Sequence, residues 1–366
     1  MSRRGENIYK RKDGRWEGRY PIGNKIDGKI RYRSIYGKTY QEVKIKLYPL
    51  KIESASKMLS KGKCATPFYK WAFYWLDSIK GDIKPSTYAS YRYKLEHYIF
   101  PYIGEIALNQ LEYDTLRSLV EEWKKKYKPS SIHVYFQLLK GCLAAAVKKS
   151  LVTLNPCREI ILPKRKKSKI HALKKQEQKK LENAARTVSG QKGLPLLISL
   201  QAGLRIGEIA GLKWENIDFD NKTITVEQTY QRISIFKKRD KKTSLVYQEA
   251  KTEASKRVVP MTNELFLKLK EKRKNSQYEF VFTSGSRPCE PRLLTYHFQN
   301  IVKKAGLFSI HFHQLRHTFA TRCLEKNHDI ASISRLLGHA STRMTLDVYT
   351  DSLMEQRKAV IHSLNK

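Results

Sequence analysis

The chain has 366 residues, 72 Lys+Arg against 34 Asp+Glu, and a formal net charge of +38. A charge this large opposes compaction unless a polyanion shares the surface, so nucleic acid is the first candidate partner and an anionic membrane surface the second. No stretch approaches the roughly 20 apolar residues of a bilayer span, and the five cysteines (Cys64, Cys142, Cys157, Cys289, Cys323) lack Cys-x-x-Cys spacing. No apolar run follows the basic N-terminus to make a signal peptide. These features predict a cytoplasmic, reduced protein that holds no metal and does not enter a membrane. At about 100–200 residues per domain, two or three domains are expected.

In chain order, residues 1–62 read as a small β module. Asp13-Gly14 and Asp27-Gly28 are hairpin-turn pairs between alternating segments. Around the first, Trp16, Gly18 and Tyr20 fall on one face, and Arg15, Glu17 and Arg19 on the other. Beyond the second, Ile30 and Tyr32 oppose Arg31 and Arg33. Three strands and then a helix over about 39–59 are predicted. Arginines placed in this way form either a solvated sheet face or a basic sheet that enters a DNA major groove.

Residues 63–160 read as an all-helical domain. Phe68, Trp71, Ala72, Trp75 and Leu76, and later Val134, Leu138, Leu139, Leu143 and Ala146, recur at helical spacing. Residues 161–169 are a basic interdomain linker, in which Lys164, Arg165, Lys166 and Lys167 show no apolar periodicity. Residues 170–366 mix helices, over about 176–185, 194–203, 263–274, 293–305, 313–326 and 330–337, with strands over 223–229, 243–247 and 255–260. The fold class is therefore multidomain α+β.

The last of these segments holds the chemistry. Arg205 stands in an apolar, Gly-rich stretch, Gln201-Ala202-Gly203-Leu204-Arg205-Ile206-Gly207-Glu208, where an unpaired charge is costly. Glu208, three residues on, is its partner on the same helical face. His313 and Arg316 open a helix at i,i+3, and Gly338-His339 ends another, with Gly338 as the left-handed cap. Tyr349 follows ten residues later, and Lys251 lies on a turn before a strand, with Lys256 as the alternative lysine. Each alone has a structural explanation: an ion pair, a surface helix, a packed tyrosine, a solvated lysine.

Together they meet the needs of metal-free phosphoryl transfer. Guanidinium forks stabilise the charge on the equatorial oxygens of a pentacovalent phosphorus. A tyrosine hydroxyl can attack once cations or a base lower its pKa from about 10. Lys or His⁺ can protonate a leaving 5′-oxygen.

The ordered set Arg205, Lys251, His313, Arg316, His339 and Tyr349 resembles the Arg…Lys…His-x-x-Arg…His/Trp…Tyr pattern of the tyrosine recombinase (phage integrase) family. The wording around His313-Gln314-Leu315-Arg316-His317-Thr318 and Leu336-Leu337-Gly338-His339 matches as well. The layout is similar to integrases of temperate phages and conjugative transposons. The resemblance implies that Tyr349 forms a 3′-phosphotyrosine, that Arg205 and Arg316 clamp the phosphate, and that Lys251 protonates the 5′-oxygen. It gives His313 an acid–base role, His339 a hydrogen bond to the phosphate, and Glu208 the task of orienting Arg205.

It further implies no cofactor, neither ATP nor Mg²⁺. Residues 1–62 would bind arm-type sites and residues 63–160, a SAM-like helical domain, core-type sites on double-stranded DNA. Residues 170–366 would be the catalytic domain, working in a homotetramer on DNA, nucleoid-associated in a bacterium, with an excisionase and a host DNA-bending protein as possible helpers. Four rival readings account for less of the sequence. A non-catalytic DNA-binding protein leaves the intact set unexplained, and a type IB topoisomerase leaves the N-terminal basic module unexplained. A chromosome-dimer resolvase usually lacks such a module, and an RNA-binding or ribosomal protein explains only the charge.

Overall fold

The computed structural model describes residues 6–25, 29–61, 64–165, 172–235, 243–249, 256–326, 328–339, 341–349 and 361. The chain divides into two compact units, Met1–Lys167 and Ser168–Lys366.

The first unit begins with an antiparallel sheet, order β1-β2-β3: β1 (Ile8–Lys10), β2 (Trp16–Asn24) and β3 (Ile30–Gly37). Gly14, at φ 85°, closes the first hairpin; the Asp27-Gly28 turn lies outside the described residues. Pro21 sits on β2 beyond the end of β1, where its missing N–H removes no ladder bond on that side. Helix α1 (Tyr40–Lys61) covers the sheet through the fully buried Val43 and Leu47. It comes so close that a Cβ on Gly18 would stand 2.6 Å from Val43 Cγ1.

The opposite face departs from simple alternation. Glu17, expected among the outward arginines, is 2% exposed. It accepts from Arg19 Nε at 2.8 Å, Arg11 Nη1 at 3.1 Å and Ser34 Oγ at 2.6 Å. Burial would raise its pKa, but the bonds from Ser34, Arg19 and Arg11 outweigh this and hold it at about 2. The basic face is thus built on a buried carboxylate.

The rest of the unit is helical: α2 (Phe68–Ser78), α3 (Pro85–Lys94), α4 (Phe100–Ile103), α5 (Tyr113–Lys126) and α6 (Pro129–Lys148). Residues Leu95–Ile99 form a π-helical turn between α3 and α4. Phe68, Trp71, Leu76, Trp123, Leu139 and Leu143 lie in its core. The two buried indoles are satisfied by the Cys142 and Tyr98 carbonyls, at 3.2 and 3.0 Å.

In the second unit α8 (Leu194–Ala202) is apolar all round and almost wholly buried, as a central helix must be. Around it lie α7 (Lys175–Arg186), α9 (Ile206–Ala210), α10 (Asn263–Lys274), α11 (Pro291–Lys304), α12 (His313–Glu325), α13 (Ile330–Leu337) and α14 (Thr342–Tyr349). The strand predicted over 223–229 is two strands with different partners. β4 (Ile217–Asp218), β5 (Thr223–Val226) and β8 (Arg257–Pro260) make one antiparallel sheet, and β6 (Gln228–Ser234) pairs with β7 (Thr243–Glu249) in another. A short hairpin, β9 (Thr283–Ser284) and β10 (Arg287–Pro288), precedes α11.

Among the described residues, no helix is long and apolar enough to cross a membrane, and no cluster of three or more His, Cys, Asp or Glu could hold a metal ion.

Candidate active site

In the second unit Arg205, Glu208, Arg257 and Arg316 meet where α8, α13 and α9 end or begin. Arg205 is the N-cap of α9 and Glu208 its third residue. The Glu208 carboxylate reaches back to the Arg205 backbone N–H (2.8 Å), one half of a capping box. Its other oxygen accepts from Arg205 Nη1 at 2.8 Å. The expected Arg205–Glu208 pair is therefore present, with the Arg205 side chain 36% exposed and Glu208 buried.

A second arginine completes the carboxylate. Arg257, the first residue of β8, donates from Nη1 and Nη2 to the two Glu208 oxygens at 3.1 and 2.8 Å, and from Nε to the Leu336 carbonyl at 2.6 Å. Four donors fill the lone-pair sites of one carboxylate. Burial alone would raise the Glu208 pKa, but Arg257 and then Arg205 hold it at about 2.

Arg316, on the first turn of α12, is 2% exposed. Its Nη1 donates to the Gly203 carbonyl at 2.7 Å and its Nη2 to the Leu337 carbonyl. These oxygens lie at the C-terminal ends of α8 and α13, where helices leave carbonyls unpaired and favour a cation. Both ends turn on a left-handed glycine: Gly203 at φ 69° and Gly338 at φ 61°. At Gly203 space is short too, since a Cβ would stand 2.7 Å from Phe319 Cδ1.

After α13, the N–H of Gly338 bonds the Arg335 carbonyl and that of His339 the Ser334 carbonyl, at 2.9 and 3.0 Å. This is the Schellman motif, and it fixes the backbone of His339. The His339 Nδ1 lies 2.8 Å from Thr345 Oγ1 on α14. Desolvation first, then Arg316, Arg205 and Arg257, brings the His339 pKa to about 4. Desolvation and the charges of Arg316 and Arg205 likewise lower His313. His317, buried, meets the His313 ring edge-on at 4.5 Å, and desolvation with its charged neighbours brings it to about 4. His313 and His339 thus feel the same two guanidinium groups, and His313 also feels Glu208.

Of the residues predicted for the site, Arg205, Glu208, His313, Arg316 and His339 are brought together. Tyr349 is the last residue of α14. Lys251 lies outside the described residues, between β7 and β8, and Lys256 immediately precedes β8. Sequence reasoning missed Arg257 and Thr345. The signal for Arg257 was its phase: in Arg257-Val258-Val259-Pro260, arginine shares the inward face with Val259 while Val258 points out.

The basic residues predicted to meet DNA belong to the first unit. Arg19, Arg31 and Arg33 are exposed on its sheet, Arg15 is exposed in the turn before β2, and Lys164 and Arg165 are exposed after α6. Arg15 is held by Asp13, with its Nη2 at 2.8 Å, and Arg31 Nη1 donates to the Ala65 carbonyl at 3.2 Å. Lys166 and Lys167 lie outside the described residues.

Comparison with known proteins identifies the family. Residues 170–356 match the phage integrase family, and residues 68–123 match the N-terminal SAM-like domain of phage integrases. A tyrosine recombinase XerC-like protein of Caldanaerobacter subterraneus is 26% identical over 94% of each chain. The transposase of transposon Tn916 from Enterococcus faecalis is 26% identical over 66% of this chain and 63% of its own. Among solved structures, the Tn1549 transposon integrase bound to circular-intermediate DNA superposes with TM-score 0.69 at 18% identity, over 81% of this chain and 99% of that one. A lambda integrase dimer on a core site superposes with TM-score 0.60 at 18% identity, over 95% and 96%. The chain belongs to the phage integrase family, the tyrosine recombinases.

Proposed function

We propose that this protein cuts and rejoins double-stranded DNA at the attachment sites of a phage or conjugative mobile element, with Tyr349 as the nucleophile. The observation that carries the assignment of roles is the convergence of Arg205, Arg316 and the turn bearing His339, with Arg205 opening α9 and Arg316 bonded to the Gly203 and Leu337 carbonyls at the ends of α8 and α13. Two guanidinium groups set in this way stabilise an anion, and a phosphodiester in its transition state carries the charge that such forks match.

The Tyr349 oxygen attacks the phosphorus and the bond to the DNA 5′-oxygen breaks, leaving a 3′-phosphotyrosine and a 5′-hydroxyl. Arg205 and Arg316 hold the non-bridging oxygens. The leaving 5′-oxygen takes its proton from Lys251. His313 exchanges the tyrosine proton, and its depressed pKa keeps it a neutral acceptor near pH 7. A Thr345 hydroxyl that donates to Nδ1 of His339 leaves the hydrogen on Nε2, the tautomer that donates to a phosphate oxygen. The phosphodiester energy is kept in the covalent link, so rejoining needs neither ATP nor a metal.

In this reading residues 63–160 and 170–366 bind core-type DNA, joined by the basic segment 161–169, and residues 1–62 bind arm-type DNA through Arg15, Arg19, Arg31 and Arg33. The active assembly is a homotetramer on DNA, with an excisionase and a host bending protein setting direction. One relative is a transposon transposase and one structural neighbour a transposon integrase, which supports a conjugative element as the source. The test is to incubate the protein with nicked duplexes from the DNA flanking its gene, digest the DNA, and map any nucleotide-bearing peptide by mass spectrometry. A 3′-nucleotide on Tyr349 is expected; a nucleotide on another residue contradicts the role given to it.

A further inference from the structure

We propose that Arg257 is a positioning residue for the recombination site, holding Arg205 and His339 in one fixed relation. The inference rests on the reading of this cluster as the phosphate site. Arg257 is the element common to both halves. Through Glu208 it reaches Arg205, because the carboxylate oxygens that take its Nη1 and Nη2 also take the Arg205 side chain and backbone N–H. Through Nε it takes the Leu336 carbonyl, two residues before the glycine that turns the chain into His339. Arg316 makes the parallel link one residue along, from Leu337 to Gly203. The end of α8 and start of α9 are thus tied to the end of α13 by two guanidinium braces.

The braces are not equivalent. Arg316 joins two helix-end carbonyls, whereas Arg257 also balances the charge of Glu208 with its side chain 5% exposed. Without it, one buried carboxylate would rely on Arg205 for countercharge and would draw that guanidinium away from a phosphate. Arg257 also begins β8, the strand entered from the segment that carries Lys251, and Val259 anchors that strand in the core. A planar fork with a further N–H at Nε makes both contacts at once; a lysine, with one point charge, makes one or the other.

The variants that test this are Arg257→Met, Arg257→Lys and the double variant Arg257→Met/Glu208→Gln, in the full chain. Three quantities are read: thermal stability, affinity for nicked core-site DNA, and single-turnover formation of the covalent adduct. The ¹⁵N imidazole signals of His339 and the Nε–H signal of Arg205 are recorded alongside, because they do not depend on cleavage. Arg257→Met is expected to keep DNA affinity within about three-fold, to lose about 100-fold in cleavage, and to shift both sets of signals. Arg257→Lys recovers part of the rate.

The double variant removes the unbalanced carboxylate and should recover stability; because Glu208 itself holds Arg205, only its stability is compared. Cleavage by Arg257→Met within three-fold of the wild type overturns the proposal. So do unshifted His339 and Arg205 signals, whether or not a substrate has been found. Failure of the recombinase reading looks different: the wild type itself forms no adduct, while the signals still respond to Arg257.

Discussion

His339 Nδ1 lies 2.8 Å from the hydroxyl of Thr345, so the turn that ends α13 is joined to α14, the helix that ends at Tyr349. The imidazole is held from both sides, its backbone by the Schellman turn and its ring by a buried threonine. Removing the hydroxyl in Thr345→Val should cost about 1 kcal/mol, the net worth of one hydrogen bond. Adduct formation should slow by about 3- to 10-fold with DNA affinity unchanged. Single-turnover trapping reads this directly, and a wild-type rate would mean that Thr345 does not set the His339 ring.

Arg205→Ala and Arg316→Ala should each slow cleavage by about 100-fold or more, the scale of about 3 kcal/mol of lost transition-state stabilisation. They should differ in stability. Arg205 is partly exposed, whereas Arg316 is buried on two helix-end carbonyls, so only Arg316→Ala should lower the melting temperature markedly. Equal melting temperatures for the two variants would show that the carbonyl bonds of Arg316 contribute little to folding.

Acid should destabilise the free protein earlier than carboxylate titration alone would. His339 and His317 are held at about 4, below the ordinary value near 6.5. The folded state therefore binds fewer protons than the unfolded state between those values. Stability is full above about pH 6.5 and is lost as the pH falls toward about 4. Glu208, held at about 2, adds a further loss as the pH drops below its unfolded value of about 4.5. Melting temperatures recorded from pH 7.5 to 4.5 should begin to fall near pH 6.5, and bound DNA, which favours the imidazolium, should blunt the fall. A flat profile down to pH 5 would contradict the histidine environments described.

Much of this site was legible in the sequence because its members lie in short local patterns. Arg205 and Glu208 are three residues apart at a helix start, His313 and Arg316 are three apart on one helix, and Gly338 marks the cap before His339. Arg257 carried only the inward phase that it shares with Val259; its partner Glu208 is 49 residues away, and an arginine beside two valines on a strand reads first as solvated. Glu17 was misplaced for a related reason: alternation gave its face correctly, but Arg11, Arg19 and Ser34 close over that face. Alternation records direction and not depth. The division of 223–229 into β5 and β6 depends on which strands return to pair with each half, and no local pattern carries that.

The sheet of the first unit gives a separate prediction. Arg31 and Arg33 are exposed on β3, so Arg31→Ala/Arg33→Ala should weaken arm-site binding and lower the slope of log affinity against log salt by about 2, near 0.9 for each phosphate no longer neutralised. Cleavage of a core-site substrate should be spared. An unchanged slope in filter binding or fluorescence anisotropy would remove these arginines from the DNA interface.

Metal-free cleavage by Tyr349 is tested by a suicide-substrate trap. Wild-type protein and Tyr349→Phe are incubated with nicked core-site DNA in EDTA and resolved on a denaturing gel. A covalent adduct with the wild type, none with Tyr349→Phe, and DNA affinities within a few-fold of each other are the predicted result. An adduct that persists in Tyr349→Phe, or one that forms only when divalent metal is supplied, would contradict metal-free attack by Tyr349.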